Sequence, residues 1–158
     1  MLFRSDLAVI VDGPDVSSLA IAPYRKDQLA VVMRSDDALC ERRPLCFADL
    51  LERDLVGLEG SSTLTRLLEA QAAVLMRPMA LRVQVRSFEA VCRAVEARLG
   101  IGVLPLTAAR CFAQTMGLAV EPLTDAWALR RCARARASRR RRTQRLGLLV
   151  GHSQGLAD

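Results

Sequence analysis

The stretch 81–105 constrains this chain more than any other, because it writes three elements in succession. Leu81, Val83 and Val85 alternate with Arg82, Gln84 and Arg86, the period-2 pattern of a half-buried strand. Phe88, Val91, Cys92, Val95 and Leu99 then follow i, i+3, i+4, i+7 and i+11, which is one apolar face of a helix. Ser87 stands where an N-cap belongs, and Glu89 puts negative charge in the first turn, where the helix dipole favours it. Ala90 at the third helical position leaves the capping box incomplete. Gly100 is placed for a left-handed C-cap. Ile101 to Leu104 reads as a short buried strand closed by Pro105. The spacing predicts a β-α-β unit with parallel strands and a right-handed crossover.

The rest of the chain repeats the alternation of strand and helix. Residues 6–11 form an apolar run suited to burial on both faces. A turn is expected over Asp12, Gly13, Pro14 and Asp15. A short extended segment at 19–24 and a separate buried strand at 28–33 follow. Residues 35–44 are polar and read as a connection. A helical turn is expected at 47–51, a strand at 55–58, and a helix from Leu64 to about Met76, with Leu64, Leu67, Leu68, Ala72 and Leu75 at helical spacing. Beyond Pro105, a helix over 107–116 is stopped by Gly117. The last patterned strand is 118–123, and Pro122 points to a sheet edge. The fold class is therefore α/β.

Composition excludes more than it identifies. No apolar run approaches the ~20 residues of a membrane span. The N-terminus, Met1-Leu2-Phe3-Arg4, has no apolar signal region before its first charge, so a cytoplasmic protein is expected. Five cysteines without C-x-x-C spacing argue against a zinc site or a disulfide framework. The net charge of +6 is unevenly placed. Residues 1–125 carry 13 Arg and one Lys against 16 acidic residues, a net of −2, whereas residues 126–158 carry nine Arg against one acid, a net of +8. The basicity belongs to a short tail and says nothing about what the body binds.

Two strands feed helices in the same manner. Strand 55–58 leads into Gly60, Ser61, Ser62 and Thr63 and a helix; strand 81–86 leads into Ser87 and Phe88 and a helix. In parallel α/β sheets, ligands bind at the carboxyl ends of strands. Helix N-termini there present free N–H groups and partial positive charge. The pattern fits a small anion held without metal or covalent chemistry; it equally fits residues that only cap their helices.

These residues carry a resemblance. Asp49-Leu50-Leu51, Asp54-Leu55-Val56-Gly57-Leu58, Ser61-Ser62-Thr63-Leu64, the run from Val83 to Arg93, and Gly100-Ile101-Gly102-Val103-Leu104-Pro105 resemble the effector-binding domain of LysR-type transcriptional regulators. So do Asp6 to Val11, Asp27 to Val32, and Gly117-Leu118, Pro122-Leu123 and Asp125-Ala126-Trp127. The resemblance runs in unbroken order over about 5–129. It implies a type 2 periplasmic-binding-protein-like fold with one complete lobe plus a partial second lobe. Residues 34–124 would form the second effector-domain lobe; 1–33 and 125–158 would be a remnant of the first. Carried over by position, the effector-binding residues would be Ser61, Ser62 and Thr63 at one helix and Val85, Ser87 and Phe88 at the other. The partner would be a small anionic or polar metabolite. The resemblance further implies a homo-oligomer formed through effector domains, DNA contact only through a helix-turn-helix that these residues do not include, no membrane contact, no cofactor and no metal. On that reading the chain is a truncated regulator, not an enzyme. The alternative is a stand-alone solute-binding protein.

The end of the chain departs from the pattern. After Trp127 the family would continue with an apolar strand and a helix, whereas 130–145 is arginine-rich. The abrupt change is expected of a shifted reading frame; the competing reading is a basic nucleic-acid arm, which lacks aromatics for stacking. Gly151-His152-Ser153-Gln154-Gly155 matches a nucleophile elbow, but no helix, acid and histidine follow in the order that chemistry needs. Cys92 and Cys111 fall on apolar helix faces and read as inert core, while Cys40 and Cys46 flank a charged loop and are expected to be exposed. Arg82 and Arg86 read as a solvated strand face, with Arg86 available to a ligand carboxylate.

Overall fold

A computed structural model describes residues 7–11, 19–60 and 62–137. Ser61, the expected turn at 12–15 and the elbow-like sequence at 151–155 lie outside the described residues. The chain divides into two compact units, 1–25 with 131–158, and 26–130. In the first, β1 (Leu7–Val11) pairs antiparallel with β7 (Leu129–Ala137), in a register from Leu7 opposite Arg136 to Val11 opposite Cys132. Strand β2 (Leu19–Arg34) enters the second unit as one 16-residue strand. The sequence suggests two segments here, because Pro23 and the charged Arg25-Lys26-Asp27 interrupt the apolar pattern. The backbone runs through them unbroken.

The unit 26–130 is a mixed sheet with helices. Strand β2 lies between β5 (Ile101–Pro105) and β6 (Leu118–Pro122) and is antiparallel to both. Strand β3 (Leu55–Leu58) lies between β5 and β4 (Leu81–Val85), parallel to each. The β4 to β5 connection thus crosses over β3. Leu29 to Met33 are fully buried, as are Ile101 and Leu104 within rounding. Such continuous apolar runs are what strands covered on both faces require. β4 shows the other pattern: Arg82 and Gln84 are exposed while Leu81, Val83 and Val85 are half-buried. It is an edge strand, and Arg82 and Gln84 keep its exposed face polar. β6, which carries Pro122, pairs with β2.

Helix α1 (Phe47–Leu50) is a single turn, α2 spans Thr63–Val74, α3 Phe88–Glu96 and α4 Leu106–Met116. Three expectations need correction. Leu99 does not join the buried face of α3, which ends at Glu96; Leu99 is 37% exposed. Gly100 is not the left-handed cap: Arg98 takes that conformation at φ +64°, and Gly100 sits at φ +147°. A Cβ on Gly100 would stand 2.4 Å from the Asp54 carbonyl oxygen, so close backbone approach requires glycine there. Cys111 is exposed, because α4 buries Ala109 and Ala113 instead. Gly117 does end α4 in the left-handed region, at φ +63°.

The arginine-rich run also differs from expectation. Arg130 to Ala137 is not patternless: it belongs to strand β7. Ala133, Ala135 and Ala137 alternate with Arg134 and Arg136, a period-2 signal that the charge count conceals.

Candidate ligand site at the carboxyl ends of two parallel strands

The parallel pairing of β3 with β4 brings the two expected helix starts to one end of one sheet. Leu58 lies opposite Val85, and the next residue, Glu59, donates its backbone N–H to the Val85 carbonyl at 2.9 Å. From that point the chain turns twice into helices. After β3, Ser62 caps α2: its Oγ accepts from the Leu64 N–H at 3.2 Å, and its own N–H donates to the Glu59 carbonyl at 2.8 Å. Thr63 is the first helical residue and is exposed. After β4, Ser87 caps α3, accepting from the Ala90 N–H at 3.1 Å. Phe88 opens that helix, half-buried against the core, and Val85 ends its strand half-buried. Five of the six expected contact residues therefore stand at one sheet end; Ser61 lies outside the described residues.

Both helices start there for reasons visible in the sequence. Ser62 and Ser87 have extended backbones and side chains short enough to reach back to the first turn. Each cap satisfies one N–H, whereas a helix start leaves four without an intrahelical partner. The remaining first-turn N–H groups and the two helix dipoles give this end a positive bias without a cationic side chain at its centre. Glu59 and Arg86 flank it as an exposed ion pair at 2.7 Å. Arg86 is 87% exposed, on the solvated side that the alternation predicts, and its Nε is engaged by Glu59.

Thr65 is not among the residues expected at the site. This threonine is 2% exposed, and its hydroxyl donates to the Leu58 carbonyl at 2.9 Å. It ties the first turn of α2 to the last residue of β3, so the helix start cannot drift from the strand end. Its position two residues beyond the first helical residue of a capped helix is the only hint that the sequence offers.

A second polar cleft, of about 310 Å³, lies at the other end of the sheet, before β3 and β5. Arg34, Asp36, Asp37, Arg53 and Arg98 line it, and they serve one another. Arg34 forks onto Asp36, Arg53 forks onto Asp37, and Arg34 also caps the Glu96 carbonyl of α3. Burial works against ionisation of Asp37, but the Arg53 guanidinium and the Leu39 N–H outweigh it and hold the carboxyl below its ordinary range. This cluster staples loops.

Cys40, Cys46 and Cys92 are held as thiols. Cys46 donates its thiol to Asp49 at 3.1 Å, and that hydrogen bond together with burial raises its pKa. Burial likewise pushes up Cys40 and Cys92. Cys40 and Cys46 are half-buried, less open than the charged loop around them suggests. Among the described residues, no group of His, Cys, Asp and Glu could hold a metal ion.

With this geometry in view, comparison with known proteins is decisive on one point. The LysR substrate binding domain matches residues 3–156. The chain belongs to that family. The match passes through Leu129, where the resemblance read from the residues ends, and takes in the arginine-rich run. A search of curated proteins finds no match. Among solved structures, an H2O2-bound mutant of OxyR from Corynebacterium glutamicum is similar at TM-score 0.72 and 21% identity, covering 90% of this chain and 46% of that one. The regulatory domain of CcmR from Synechocystis PCC6803 in complex with 2-PG gives TM-score 0.74 and 19% identity, covering 98% and 76%. The BenM effector binding domain with its effector benzoate gives TM-score 0.70 and 15% identity, covering 97% and 75%. The LysR-family chain thus has the type 2 periplasmic-binding-protein-like α/β fold, and it spans about half the length of the OxyR chain. No helix among its described residues is long and apolar enough to cross a membrane.

Proposed function

We propose that this chain senses a small anionic or polar molecule as the effector-binding part of a LysR-type transcriptional regulator. The observation that carries the reading is the convergence of two serine-capped helix starts at the carboxyl ends of the adjacent parallel strands β3 and β4. Ser61, Ser62 and Thr63 would meet the ligand from one helix, and Val85, Ser87 and Phe88 from the other. Hydroxyls and N–H groups hold the polar end of the molecule, while Phe88 and Val85 offer it an apolar wall. No bond is made or broken; binding shifts the population of conformations, and the signal passes to DNA through a helix-turn-helix outside these 158 residues. On the same reading, the expected lobe 34–124 corresponds to the compact unit 26–130, which also takes in Lys26 to Met33 and Asp125 to Arg130, and the residues on either side of that unit belong to the other lobe. The chain acts in the cytoplasm, where its four described cysteines stay free thiols, and self-associates through this domain.

The test is a thermal-shift screen with benzoate, 2-PG and a series of aromatic and dicarboxylic acids. A ligand at a hundred times its Kd adds about 2.7 kcal/mol of stability. A rise in melting temperature that shrinks in Ser87→Ala and Phe88→Ala, measured against each variant's own ligand-free baseline, supports the site. Equal shifts in wild type and both variants would place the ligand elsewhere.

A further inference from the structure

Only β2 and β7 carry the chain between the unit 26–130 and the residues beyond it. At the boundary itself, Asp27 on β2 and Arg130 on β7 form an ion pair at 2.9 Å. The two residues are 103 positions apart in sequence, and their side chains are 8% and 10% exposed. They are the second and the last residues of the unit.

Everything inward of the pair is pinned. Gln28 donates to the Leu123 carbonyl, and the Leu123 N–H donates back to Leu29. The Asp125 carboxylate accepts the Phe47 N–H at 2.7 Å, and Thr124 is bonded twice to the Leu45 carbonyl. Phe47 and Trp127 pack edge to face, with ring centroids 5.4 Å apart. Among the described residues, the pair is a side-chain hydrogen bond between the two connecting strands at the edge of this unit.

Its hydrogen bonding is incomplete. Arg130 reaches Asp27 through a terminal nitrogen, and its buried Nε has no hydrogen-bond partner. A guanidinium can grip a carboxylate with two parallel N–H bonds, whereas this one makes a single bond. A buried charge separated from its partner is strongly disfavoured, which makes the engaged pair self-locking. An unpaired buried donor weakens the lock.

We infer that Asp27 and Arg130 form a latch on the connecting strands, whose opening frees β2 and β7 to change course while the core of the unit stays folded. Both are positioning residues: they act by fixing where the strands leave the unit. The inference does not depend on the proposed ligand site and is tested on the full chain without ligand.

The experiment is amide hydrogen exchange read by mass spectrometry. In wild type, the peptides 19–28 and 129–137 should exchange through a local opening with weaker denaturant dependence than that of β3 and β5. In Asp27→Asn, exchange in those peptides should accelerate by about tenfold or more while β3 and β5 are unchanged. Arg130→Lys, which retains the charge but replaces the planar guanidinium, should show the same confined effect to a smaller degree. A residue that merely adds stability would accelerate β3 and β5 to the same extent, and that result would overturn the latch. So would unchanged exchange in both variants, or equal denaturant dependence throughout wild type, a measurement that stands even if a variant does not fold.

Discussion

The glycines separate into those the fold requires and those it does not. Gly102 on β5 faces α3, where an added Cβ would stand 2.6 Å from Val91 Cγ1. Val91 is itself fully buried, so it has little room to yield. Gly100→Ala is the more damaging change, because its Cβ meets backbone at Asp54 and its φ is one that side chains rarely adopt. Gly100→Ala should destabilise by about 3 kcal/mol or more, above the usual range for overpacking. Gly60→Ala has nothing within 4 Å of the new atom and should lie within about 0.5 kcal/mol of wild type. Chemical denaturation of the two variants side by side checks the contrast. Equal stability would mean that the helix-to-strand corner after α3 can relax.

The carboxylates give a pH dependence at the same scale. Asp49 is held below its ordinary range, first by the Cys46 N–H and then by the Cys46 thiol; Asp37 is held low by Arg53 and the Leu39 N–H despite its burial. A carboxyl whose folded pKa is depressed adds stability that is fully present above its unfolded value, about 3.9, and is lost as pH falls through the folded value. Melting temperature should therefore fall steeply below about pH 4. Asp37→Asn should lower stability at neutral pH and flatten that acid slope. A slope identical to that of wild type would show that Asp37 carries none of it.

Among elements, the serine caps and the tie at Thr65 decide where the helices begin. Ser87→Ala removes the bond to the Ala90 N–H and should cost about 1 kcal/mol, lowering the melting temperature by about 2–4 °C for a chain of this size. Thr65→Val should cost more than an exposed threonine would, because it leaves the Leu58 carbonyl without its side-chain donor. It should also weaken any ligand that binds at Ser62 and Ser87, since α2 would no longer be fixed to β3. Calorimetry of ligand binding to Thr65→Val separates the two effects. Unchanged affinity would mean that the cap alone positions α2. The β-α-β unit at 81–105 was legible because its period switches from 2 to 3.6 and back. The single long β2 was not, because Pro23 and three charged residues look like a break until partner strands are present.

At the scale of the molecule, the unit 26–130 is held by one buried hydrophobic cluster that runs from Leu29 to Ala128. Lys26 is exposed at its start with Arg25 just before it, and eight arginines follow Arg130. Brief trypsin digestion should therefore leave a resistant fragment close to 26–130, identifiable by intact mass. Progressive loss of β3 and β5 peptides at the same rate as the ends would contradict that division. Trp127, the only tryptophan, packs on Phe47 near the boundary and offers a fluorescence reading of the same region.

Local pattern in the sequence determined the α/β class, the two capped helix starts, most strand positions, the glycine stop after α4 and the family resemblance. These follow from propensity, periodicity and capping, which act over a few residues. Tertiary structure alone decided the rest: that β3 and β4 are neighbours and so bring Ser62 to Ser87, that Gly100 faces the Asp54 backbone, and that Asp27 meets Arg130 across 103 residues. The arginine-rich run shows the division most clearly. Counted as charge, it looks foreign to the fold, yet its alternation is that of a strand, and Arg130 is buried because a carboxylate far away in sequence is brought to it. Partners separated by most of the chain leave no local periodicity to read, and only the sheet brings them together.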